Sequence, residues 1–574
     1  MNILGISCFY HDAAAALLKD GQLIAAAEEE RFSRKKHDSV FPAKAIAFCL
    51  ETAGISAGDL DYAIFYEKPF LKLERILLTS LQTYPSSWRV FSESMSTWFF
   101  DKLWIKNIIV DSLNIDEQKV RFCEHHLSHA ASAFLCSPFK EAAILTTDGV
   151  GEWTTTSTGF GDDTRISLHK EIRFPHSIGL LYSAFTAFLG FQVNEGEYKV
   201  MGMAAYGKPK YADKIYRLIS VEKDGGFHLN MDFFSFHHSL TRTFNNRFVR
   251  LFGKPRDPSQ AESIEPFYAD IAASIQLVTE EILLKIANNL HQETGSKNLC
   301  IAGGVGLNSV ANWRMLTQTP FKHIFVQPAA GDSGAALGAC LYLYHTISGR
   351  PREFVMKHAY WGKEYDAARI KSALDKLGAT YEHVENDALL YEAVVEELVA
   401  GKVIGWYQGR FEWGPRALGN RSILADPRRP EMKDIINRKI KFREPFRPFA
   451  PSVLAERAEE YFEMSGAHEV YPARFMLVVP QVKDSKRSVI PAVTHADGSG
   501  RLQMVYEETN PRYYRLIKAF AAKTGVPVVL NTSFNLRGEP IVTTPEDAFS
   551  TFSRSDMDVL VLGNYIVKKQ KERI

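Results

Sequence analysis

Residues 142–161 read AAILTTDGVGEWTTTSTGFG and predict a strand-turn-strand element that determines the fold. The run 142–147 has the apolar composition of a buried strand, DGVGEW is a glycine turn, and TTTSTGFG alternates as a second strand does. The N-terminus repeats this order, because residues 2–7 and 13–18 each predict a strand and a polar turn separates them. The pattern is a weak internal repeat, visible in the order of elements rather than in residue identity.

Two strand-turn-strand halves that face each other form a cleft lined by two phosphate-facing turns. This is the architecture of the duplicated actin/hexokinase-like (RNase H-like) ATPases, so we predict an α/β domain of that kind over residues 1–350. Residues 68–120 are dense in aromatic and long apolar side chains and predict a helical insertion, with a lid over an acceptor pocket as the alternative role. The stretch TISGRPREF (346–354) has the composition of a linker, and a second α/β region follows over residues 358–574.

The totals restrict the class of protein. A chain of 574 residues is too long for one hydrophobic core, and a net charge of +1 gives no long-range attraction for nucleic acid. The six cysteines form no CxxC pair and lie mostly inside apolar runs, so we expect buried free thiols and a cytoplasmic protein. The first residues lack the basic and apolar regions of a signal peptide, and no apolar run has the length of a spanning helix.

Four side chains of the metal-ligand type stand out. His125 and His129 lie one helical turn apart in CEHHLSHAASAFL, so both imidazoles can bind one ion. Asp148 and Asp332 each close an apolar strand-like run and open a glycine turn. Two neutral imidazoles and two carboxylates balance a divalent cation and can leave a position open for a phosphate or another substrate oxygen. The residue types leave iron, zinc and manganese as alternatives, and each residue alone is equally typical of a helix face or a helix cap.

Other residues of the N-terminal region are candidates for nucleotide contacts. Gly303 and Gly304 follow an apolar strand-like run, where glycine lets the backbone approach a nucleotide, and Asn308 can reach a ribose or a base edge. Lys199 is a candidate phosphate contact, with a solvated lysine as the ordinary alternative. His11 lies in the first strand turn, beside the expected phosphate site, and is a candidate general base or acceptor-orienting group.

The segment 401–453 is dense in basic residues that punctuate apolar strand and turn stretches. Arginine presents a planar fork that matches phosphate oxygens, so several converging arginines suit a polyphosphate better than a solvated surface. Ser533 and Asn535 end a later buried strand, where short polar groups can bind phosphate or ribose oxygens. Two anion sites, one of them with a metal, predict a two-step reaction through a phosphorylated or adenylated intermediate. The basic candidates are Arg410, Arg416, Arg421, Lys441, Arg443, Arg447 and Arg501.

Ten stretches spread over nearly the whole chain resemble the NodU/CmcH carbamoyltransferases, the O-carbamoylating enzymes of the tobramycin, cephamycin and nodulation-factor types. None of the stretches is specific alone, but together they are highly specific. They are ILGISCFYHDAAAALLKDG, AAAEEERFSRKKHD, EHHLSHAASAF, DGVGE, EYKVMGMAAYGK, GGVGLN, GDSGAALGA, GRFEWGPRALGNRSILADPR, REPFRPFAPSV and NTSFNLRGEPIV.

The resemblance implies an N-terminal domain of the threonylcarbamoyl-adenosine transferase type on the actin-like fold, and a YrdC-like α/β C-terminal domain. The second domain would use carbamoyl phosphate and ATP, with Mg²⁺, to make carbamoyl adenylate. The first would pass the carbamoyl group to a hydroxyl of a small-molecule acceptor, such as a sugar or natural product, at a site that holds Fe(II). A homodimer is the assembly that the resemblance suggests. The family's metal ligands fall on His125, His129, Asp148 and Asp332, its N-terminal histidine on His11, and its nucleotide motifs on Lys441, Arg443, Ser533 and Asn535.

Two other functions stay open. A fused enzyme that makes threonylcarbamoyl-adenosine on tRNA would contain both domain types, although a near-neutral chain offers tRNA little attraction. A sugar kinase or a non-enzymatic ATP-binding regulator would use the actin-like fold alone. We expect neither nucleic acid nor a membrane among the partners.

Overall fold

The computed structural model describes residues 1–100, 102–259, 264–466 and 470–569. Within these residues, no helix combines the length and the apolar character needed to cross a bilayer. All six cysteines are free and buried, as their apolar surroundings in the sequence predict.

The chain folds into two compact units. Unit 1 consists of Met1–Glu29 and Ser39–Met356, and unit 2 consists of Glu30–Asp38 and Lys357–Ile574. Unit 1 ends two residues after the stretch TISGRPREF. Residues 30–38 belong to unit 2, whereas the sequence analysis placed them inside a continuous first domain.

Unit 1 contains two five-stranded sheets with the same strand order. In each sheet, three consecutive strands pair antiparallel, and two later strands extend the sheet in parallel beside the first strand. The repetition confirms the duplicated actin-like architecture. Sheet 1 contains β1 (Asn2–Ser7), β2 (Ala14–Lys19), β3 (Gln22–Glu28), β4 (Tyr62–Phe65) and β5 (Val120–Phe122), in the order β3-β2-β1-β4-β5.

Sheet 2 repeats this arrangement after a gap in the chain. It contains β6 (Glu141–Thr147), β7 (Thr154–Asp162) and β8 (Arg165–Arg173), a separate hairpin follows with β9 (Ile219–Val221) and β10 (Phe227–Leu229), and the sheet resumes with β11 (Asn298–Ala302) and β12 (His323–Val326), in the order β12-β11-β6-β7-β8.

The hairpin between β2 and β3 shows how local chemistry sets the register. Asp20 and Gly21 both adopt positive φ angles, 48° and 81°. Two such residues form the tight turn whose twist matches that of antiparallel strands, and Asp-Gly is among its preferred sequences. The hairpin turn read from the sequence at this position is therefore present.

The helices cover the faces of the sheets. In chain order they are α1 (Glu30–Ser33), α2 (Ala43–Ala53), α3 (Pro69–Gln82), α4 (Trp88–Phe100), α5 (Ile105–Leu113), α6 (His125–Phe134), α7 (Ile178–Phe188), α8 (Glu197–Ala204), α9 (Ala212–Ile215), α10 (Asn246–Phe252), α11 (Pro266–Thr294), α12 (Ser309–Gln318), α13 (Asp332–Leu341), α14 (Ala367–Lys376), α15 (Asp387–Val399), α16 (Met432–Ile435), α17 (Ala458–Tyr461), α18 (Asp484–Arg487), α19 (Pro511–Thr524) and α20 (Pro545–Ser553).

Two helices pack between the sheets of unit 1. Helix α13 follows β12 of sheet 2 but packs on β1 and β2 of sheet 1, whereas α6 follows β5 of sheet 1 and packs on β6 and β11 of sheet 2. The two helices also pack on each other through small residues. A Cβ atom on Gly338 would lie 1.9 Å from the carbonyl oxygen of Ser128, so only glycine allows this close approach.

The expected helical insertion is present as α3, α4 and α5. Helix α3 buries basic side chains and exposes apolar ones. Its buried side chains include Lys72 and Arg75, whereas Phe70 and Leu81 are 73% and 72% exposed. A buried basic face requires acceptors beneath it, and they lie around the candidate site described below.

Unit 2 is built on one mixed eight-stranded sheet. Two of its seven strand pairings are parallel and the other five are antiparallel. The strands are β13 (Glu382–His383), β14 (Ile404–Tyr407), β15 (Arg421–Ala425), β16 (Ala450–Leu454), β17 (Gln503–Val505), β18 (Val528–Ser533), β19 (Val559–Leu562) and β20 (Tyr565–Lys568), in the order β13-β20-β19-β14-β15-β18-β16-β17.

Candidate functional site

The N-terminus of α6 supplies two metal-type ligands. His125 is the first residue of the helix and His129 lies one turn further on, so both imidazoles share one helix face. Their Nε2 atoms are 3.1 Å apart, and both side chains are buried. Two neutral Nε2 lone pairs at that distance repel each other unless a proton or a cation lies between them.

Two carboxylates complete the group. Asp148 follows the last residue of β6, and its Oδ2 lies 3.1 Å from Nε2 of His125 and 3.7 Å from Nε2 of His129. Asp332 is the first residue of α13, where the helix dipole favours a carboxylate, and its Oδ1 lies 3.6 and 3.4 Å from the same two nitrogens. One ligand atom from each of the four residues lies within 4.8 Å of the others, so the structure brings all four candidates together.

We call His125, His129, Asp148 and Asp332 the metal group, and its geometry fits a divalent cation. Metal–ligand bonds of about 2.1 Å at angles of about 90–110° separate ligand atoms by about 3.0–3.4 Å. The separations between the histidine nitrogens and the carboxylate oxygens, 3.1–3.7 Å, are close to that range. A charge of +2 also balances two buried carboxylates, which are costly to bury without compensation.

In the protein without metal, a proton takes the position of the cation. Burial by itself lowers the pKa of His129, but hydrogen bonds to Asp148 and Asp332 outweigh burial and raise the pKa to about 9. Burial raises the pKa of Asp148, but hydrogen bonds from His125 and His129 hold it well below its usual range. The metal group therefore attracts positive charge strongly.

A glycine turn supports Asp148 from the opposite side. The amide of Gly304 donates a 2.8 Å hydrogen bond to Oδ1 of Asp148. Gly303 has a φ of 92°, and a Cβ atom there would lie 2.1 Å from the carbonyl oxygen of Thr147. The sequence predicted that these glycines let the backbone approach a nucleotide. In the structure, these glycines let the backbone lie close to Thr147 at the end of β6 and to Asp148.

Further charged residues, which the sequence analysis did not select, surround His125. Glu152 accepts a 3.0 Å hydrogen bond from the backbone amide of His125 and a 2.8 Å bond from that of Lys68. Glu67 is buried with its Oε2 atom 2.6 Å from Nζ of Lys72 and 4.0 Å from Nδ1 of His125. Glu67 directly follows the apolar strand DYAIFY, which is the same signal that identified Asp148.

Arg75 extends this layer from the insertion. Its Nη1 atom donates a 2.6 Å hydrogen bond to the carbonyl oxygen of Gly151, in the turn that begins with Asp148, and its guanidinium lies 5.1 Å from the ring centre of Phe174. Burial lowers the pKa of Arg75 from its usual value. The insertion therefore does more than cover the sheet, because α3 contacts the turn that carries Asp148.

His11 lies in the turn between β1 and β2, as the sequence predicts. Its Nδ1 atom donates a 2.8 Å hydrogen bond to Oδ2 of Asp12. Burial by itself lowers the pKa of His11, but the bond to Asp12 and the charges of Asp12, Asp332 and Asp148 raise it to about 9. His11 is thus within electrostatic reach of the metal group. Without a cation its imidazole is protonated at neutral pH, which is the opposite of the state that a general base requires.

Two expected nucleotide contacts have other roles within the fold. The side chain of Asn308 caps α12 by accepting from the amide of Ala311, and it exchanges two 3.1 Å hydrogen bonds with the amide group of Gln276. Lys199 lies on α8 with its ammonium group 5.6 Å from the ring centre of Phe191. These contacts place neither residue in the metal group.

Unit 2 brings two distant motifs together. The ammonium group of Lys441 is buried, and it donates to the carbonyl and side-chain oxygens of both Ser533 and Asn535. Ser533 in turn donates a 2.8 Å hydrogen bond to Oδ1 of Asn535. Burial and the charges of Arg443 and Arg447 hold the pKa of Lys441 well below its usual range. We call these five residues the lysine cluster.

Arg416 and Arg501 form a second pair of basic residues. Burial and the charge of Arg501 lower the pKa of Arg416 well below its usual value.

The arginines of the lysine cluster are held by other side chains. Arg443 donates a 2.8 Å hydrogen bond to Asn437, and Arg447 lies 3.4 Å from Glu444. A group of basic side chains favours binding of an anion.

Arg421 and Arg410 both make hydrogen bonds to loop carbonyl groups. Arg421 is fully buried over the ring of Tyr407, and its guanidinium donates to the carbonyl groups of Gln408, Gly409 and Asn420. Arg410 donates to the carbonyl groups of Trp361 and Gly362. These donors shape the loop, a use that sequence spacing alone cannot distinguish from phosphate binding.

A buried glutamate organises the same loop. Oε1 of Glu412 accepts hydrogen bonds from the backbone amides of Leu418, Asn420 and Arg421, at 2.8, 2.8 and 3.3 Å. The chain between these points bends around the carboxylate and carries Arg416. The density of Gly, Pro and Trp in this stretch is therefore explained by a folded loop.

Comparison with known proteins assigns the chain to a family. The family model described as "Carbamoyltransferase N-terminus" matches residues 2–341, and "Carbamoyltransferase C-terminus" matches residues 395–569. An uncharacterized protein of Synechocystis sp. is 48% identical over 99% of this chain and 97% of its own length. Nodulation protein NolNO of Sinorhizobium fredii is 39% identical over 98% of this chain and 79% of its own length.

A third relative has an activity in its name. The 3'-hydroxymethylcephem-O-carbamoyltransferase of Amycolatopsis lactamdurans is 36% identical over 50% of this chain and 52% of its own length. The two family models match successive parts of the chain, and unit 1 contains the duplicated sheets. This chain belongs to the carbamoyltransferase family.

Proposed function

We propose that this protein is an ATP-dependent O-carbamoyltransferase that makes carbamoyl adenylate in unit 2 and transfers its carbamoyl group to a hydroxyl in unit 1. The observation that carries the proposal is the meeting of two histidines and two aspartates in unit 1 of a carbamoyltransferase. Unit 2 has its own cluster of basic side chains, and two separate sites suit a reaction with an activated intermediate.

Unit 2 would act as a YrdC-like domain on carbamoyl phosphate and ATP with Mg²⁺. Carbamate is a poor electrophile, and adenylation gives it a leaving group. Water would first cleave carbamoyl phosphate into carbamate and inorganic phosphate. A carbamate oxygen would then attack the α-phosphorus of ATP, pyrophosphate would leave with the electrons of the broken P–O bond, and carbamoyl adenylate would form. The lysine cluster and the pair Arg416 and Arg501 would neutralise the phosphate charges and hold the reacting groups in line.

Unit 1 would complete the transfer. The acceptor hydroxyl attacks the carbamoyl carbon, and AMP leaves with the electrons of the broken bond. A divalent cation bound to the metal group supplies Lewis-acid stabilisation of negative charge. The charge of a bound cation would offset the charges of Asp148 and Asp332, two of the charges that raise the pKa of His11. The hydrogen-bonded pair of His11 and Asp12 can then orient the hydroxyl and receive its proton.

Fe(II) is the cation that the resemblance implies. Two imidazole nitrogens and two carboxylate oxygens suit it, and the same ligand set accepts manganese or zinc. Elemental analysis of protein purified without oxygen, followed by reloading of chelator-treated protein with each metal, identifies the ion. Full activity with zinc and none with iron would contradict the assignment.

The acceptor is proposed to be a small molecule with a free hydroxyl. One relative is named for carbamoyl transfer to a hydroxymethyl cephem and another for nodulation, so hydroxyl-bearing natural products are the first class to test. We propose a homodimer as the assembly, with no nucleic acid or membrane partner, and light scattering and binding assays check these points.

The test is a product analysis. With carbamoyl phosphate, ATP and an acceptor library, we expect pyrophosphate, AMP and a carbamoylated product. AMP release only with bicarbonate and threonine would identify the tRNA-modifying alternative, and ADP would identify a sugar kinase. An absence of turnover with every acceptor class and no exchange of pyrophosphate into ATP would favour a binding protein.

A further inference from the structure

The segment Glu30–Asp38, which reads ERFSRKKHD, belongs to unit 2 although both of its neighbours in the chain belong to unit 1. It leaves sheet 1 directly after β3 and returns at Ser39. We call it the basic segment, because it contains two arginines and two lysines.

Two arginines anchor the basic segment to unit 2. Arg31 is 1% exposed, and its Nη2 atom donates a 2.6 Å hydrogen bond to the carbonyl oxygen of Gly414. Arg34 donates from Nη1 to Ile541, at 2.6 Å, and from Nη2 to Pro540, at 3.0 Å. Nε of Arg34 also lies 3.5 Å from the carboxylate of Asp547 at the start of α20.

The anchored loops are the ones that carry the proposed phosphate ligands. Gly414 lies two residues before Arg416. The loop at Pro540 continues from Asn535, whose Nδ2 atom donates a 2.7 Å hydrogen bond to the carbonyl oxygen of Glu539. Arg34 is therefore connected to Lys441 by hydrogen bonds to Pro540 and from Asn535, which the backbone between Glu539 and Pro540 joins.

The lysines of the basic segment differ in their surroundings. Lys35 is 70% exposed and lies 3.8 Å from Asp38. Lys36 is half-buried, and its charge contributes, after burial and the charges of Arg443 and Arg447, to the low pKa of Lys441. The charge of Lys36 thus adds to the field of the lysine cluster, and that of Lys35 serves as a comparison.

We infer that Lys36 is a further phosphate-binding side chain of the site in unit 2, and that Arg31 and Arg34 are positioning residues that hold the basic segment against it. The inference rests on the proposed function and adds to it a ligand from the first 40 residues of the chain. The charge of Glu539 acts on Lys441 in the opposite direction, but Arg443, Arg447 and Lys36 are all cationic and would attract a phosphoryl group bound beside Lys441. The phosphate belongs to ATP or to carbamoyl phosphate, which share this chemistry.

The experiment compares Lys36→Met with Lys35→Met in the full chain. For Lys36→Met we expect at least a tenfold increase in KM for ATP or for carbamoyl phosphate in pyrophosphate exchange, with a smaller change in kcat, and recovery in Lys36→Arg. The substrate whose KM rises identifies the phosphate. Lys35→Met is expected to change either KM less than about twofold. Equal behaviour of the two methionine variants would overturn the inference.

Binding measurements separate this inference from the proposed function. Calorimetry with ATP, and separately with inorganic phosphate, reports the anion site whether or not the protein makes carbamoyl adenylate. If wild-type protein releases no pyrophosphate but Lys36→Met still weakens binding of either probe relative to Lys35→Met, the proposed function fails and the site stands. If exchange occurs and Lys36→Met binds both probes as the wild type does, the site fails and the function stands.

Discussion

At the residue scale, a proton and a metal cation compete for one position in the metal group. The pKa of His129 is raised to about 9 in the metal-free protein, so at pH 7.5 the imidazole carries a proton that it must lose to bind a metal. We expect metal binding to release about one proton at pH 7.5 and the apparent affinity to rise up to about tenfold per pH unit until pH 9. Calorimetry in buffers of different ionisation enthalpy measures the released proton.

The same group has an opposite effect on the stability of the metal-free protein. A folded-state pKa above the ordinary value of 6.5 stabilises the fold fully below pH 6.5, and that contribution is lost as the pH rises through about 9. Urea unfolding of chelator-treated protein at pH 6.5 and 9 measures the difference, with His129→Gln as the control in which the dependence is reduced. Metal affinity that is independent of pH between 6.5 and 8.5 would contradict the protonated group.

Glu67 offers a second residue-scale prediction, because its carboxylate lies between Lys72 and the ring of His125. At 4.0 Å from Nδ1 of His125, the Glu67 carboxylate acts through its charge and not through a hydrogen bond, so we expect Glu67→Gln to weaken metal binding by about tenfold, the lower end of the range for loss of an outer carboxylate. Part of any effect could arise from the buried, unpaired Lys72. The double variant Glu67→Gln/Lys72→Met removes that charge. If the double variant regains folding stability but still binds metal weakly, Glu67 tunes His125. If it regains both, the role of Glu67 is structural only.

The sequence predicted that the four residues of the metal group come together, and the structure brings them together, because each follows a local rule that can be read in the chain. A turn-spaced histidine pair and two carboxylates at strand ends are visible in the chain, and the duplicated fold implies that those ends meet. For Arg421 the sequence leaves two uses open. An arginine that binds phosphate and one that donates to carbonyl groups have the same neighbours in sequence, and only the fold of the loop around Glu412 separates them.

At the scale of elements, the spacing between α6 and α13 sets the geometry of the metal group, because one helix carries the histidines and the other carries Asp332. Gly338→Ala would place a Cβ atom 1.9 Å from the carbonyl oxygen of Ser128 and force the helices apart. We expect a loss of about 1–3 kcal/mol in the free energy of unfolding and weaker metal binding. Urea unfolding and metal titration measure the two effects.

Gly58→Ala is a matched control for that variant. The added Cβ atom would meet only the side-chain oxygen of Ser56, at 3.6 Å, which is an ordinary contact distance. Its unfolding free energy and metal affinity should stay close to those of the wild type. Equal metal affinity in Gly338→Ala and Gly58→Ala would show that the helix spacing does not control the metal group.

Strands and helices were predictable where a period or a turn signal exists, as in the Asp20-Gly21 hairpin and the long helix α11. The basic segment was not. Its anchors join Arg31 to Gly414 and Arg34 to Pro540, pairs separated by 383 and 506 positions, and no local pattern records such a contact.

At the scale of the whole molecule, the proposed reaction divides between the two units, and its intermediate is sensitive to water. His129→Ala should lose transfer but keep pyrophosphate exchange, and Arg443→Ala should lose exchange but keep transfer from supplied carbamoyl adenylate.

In an equal mixture of the two variants, the intermediate made by one molecule must pass through water to reach another. We therefore expect less than about a tenth of the wild-type product, with AMP in excess over product because of hydrolysis. Product equal to AMP at half the wild-type rate or more would show that the intermediate survives in solution, and the double variant His129→Ala/Arg443→Ala provides the background for both measurements.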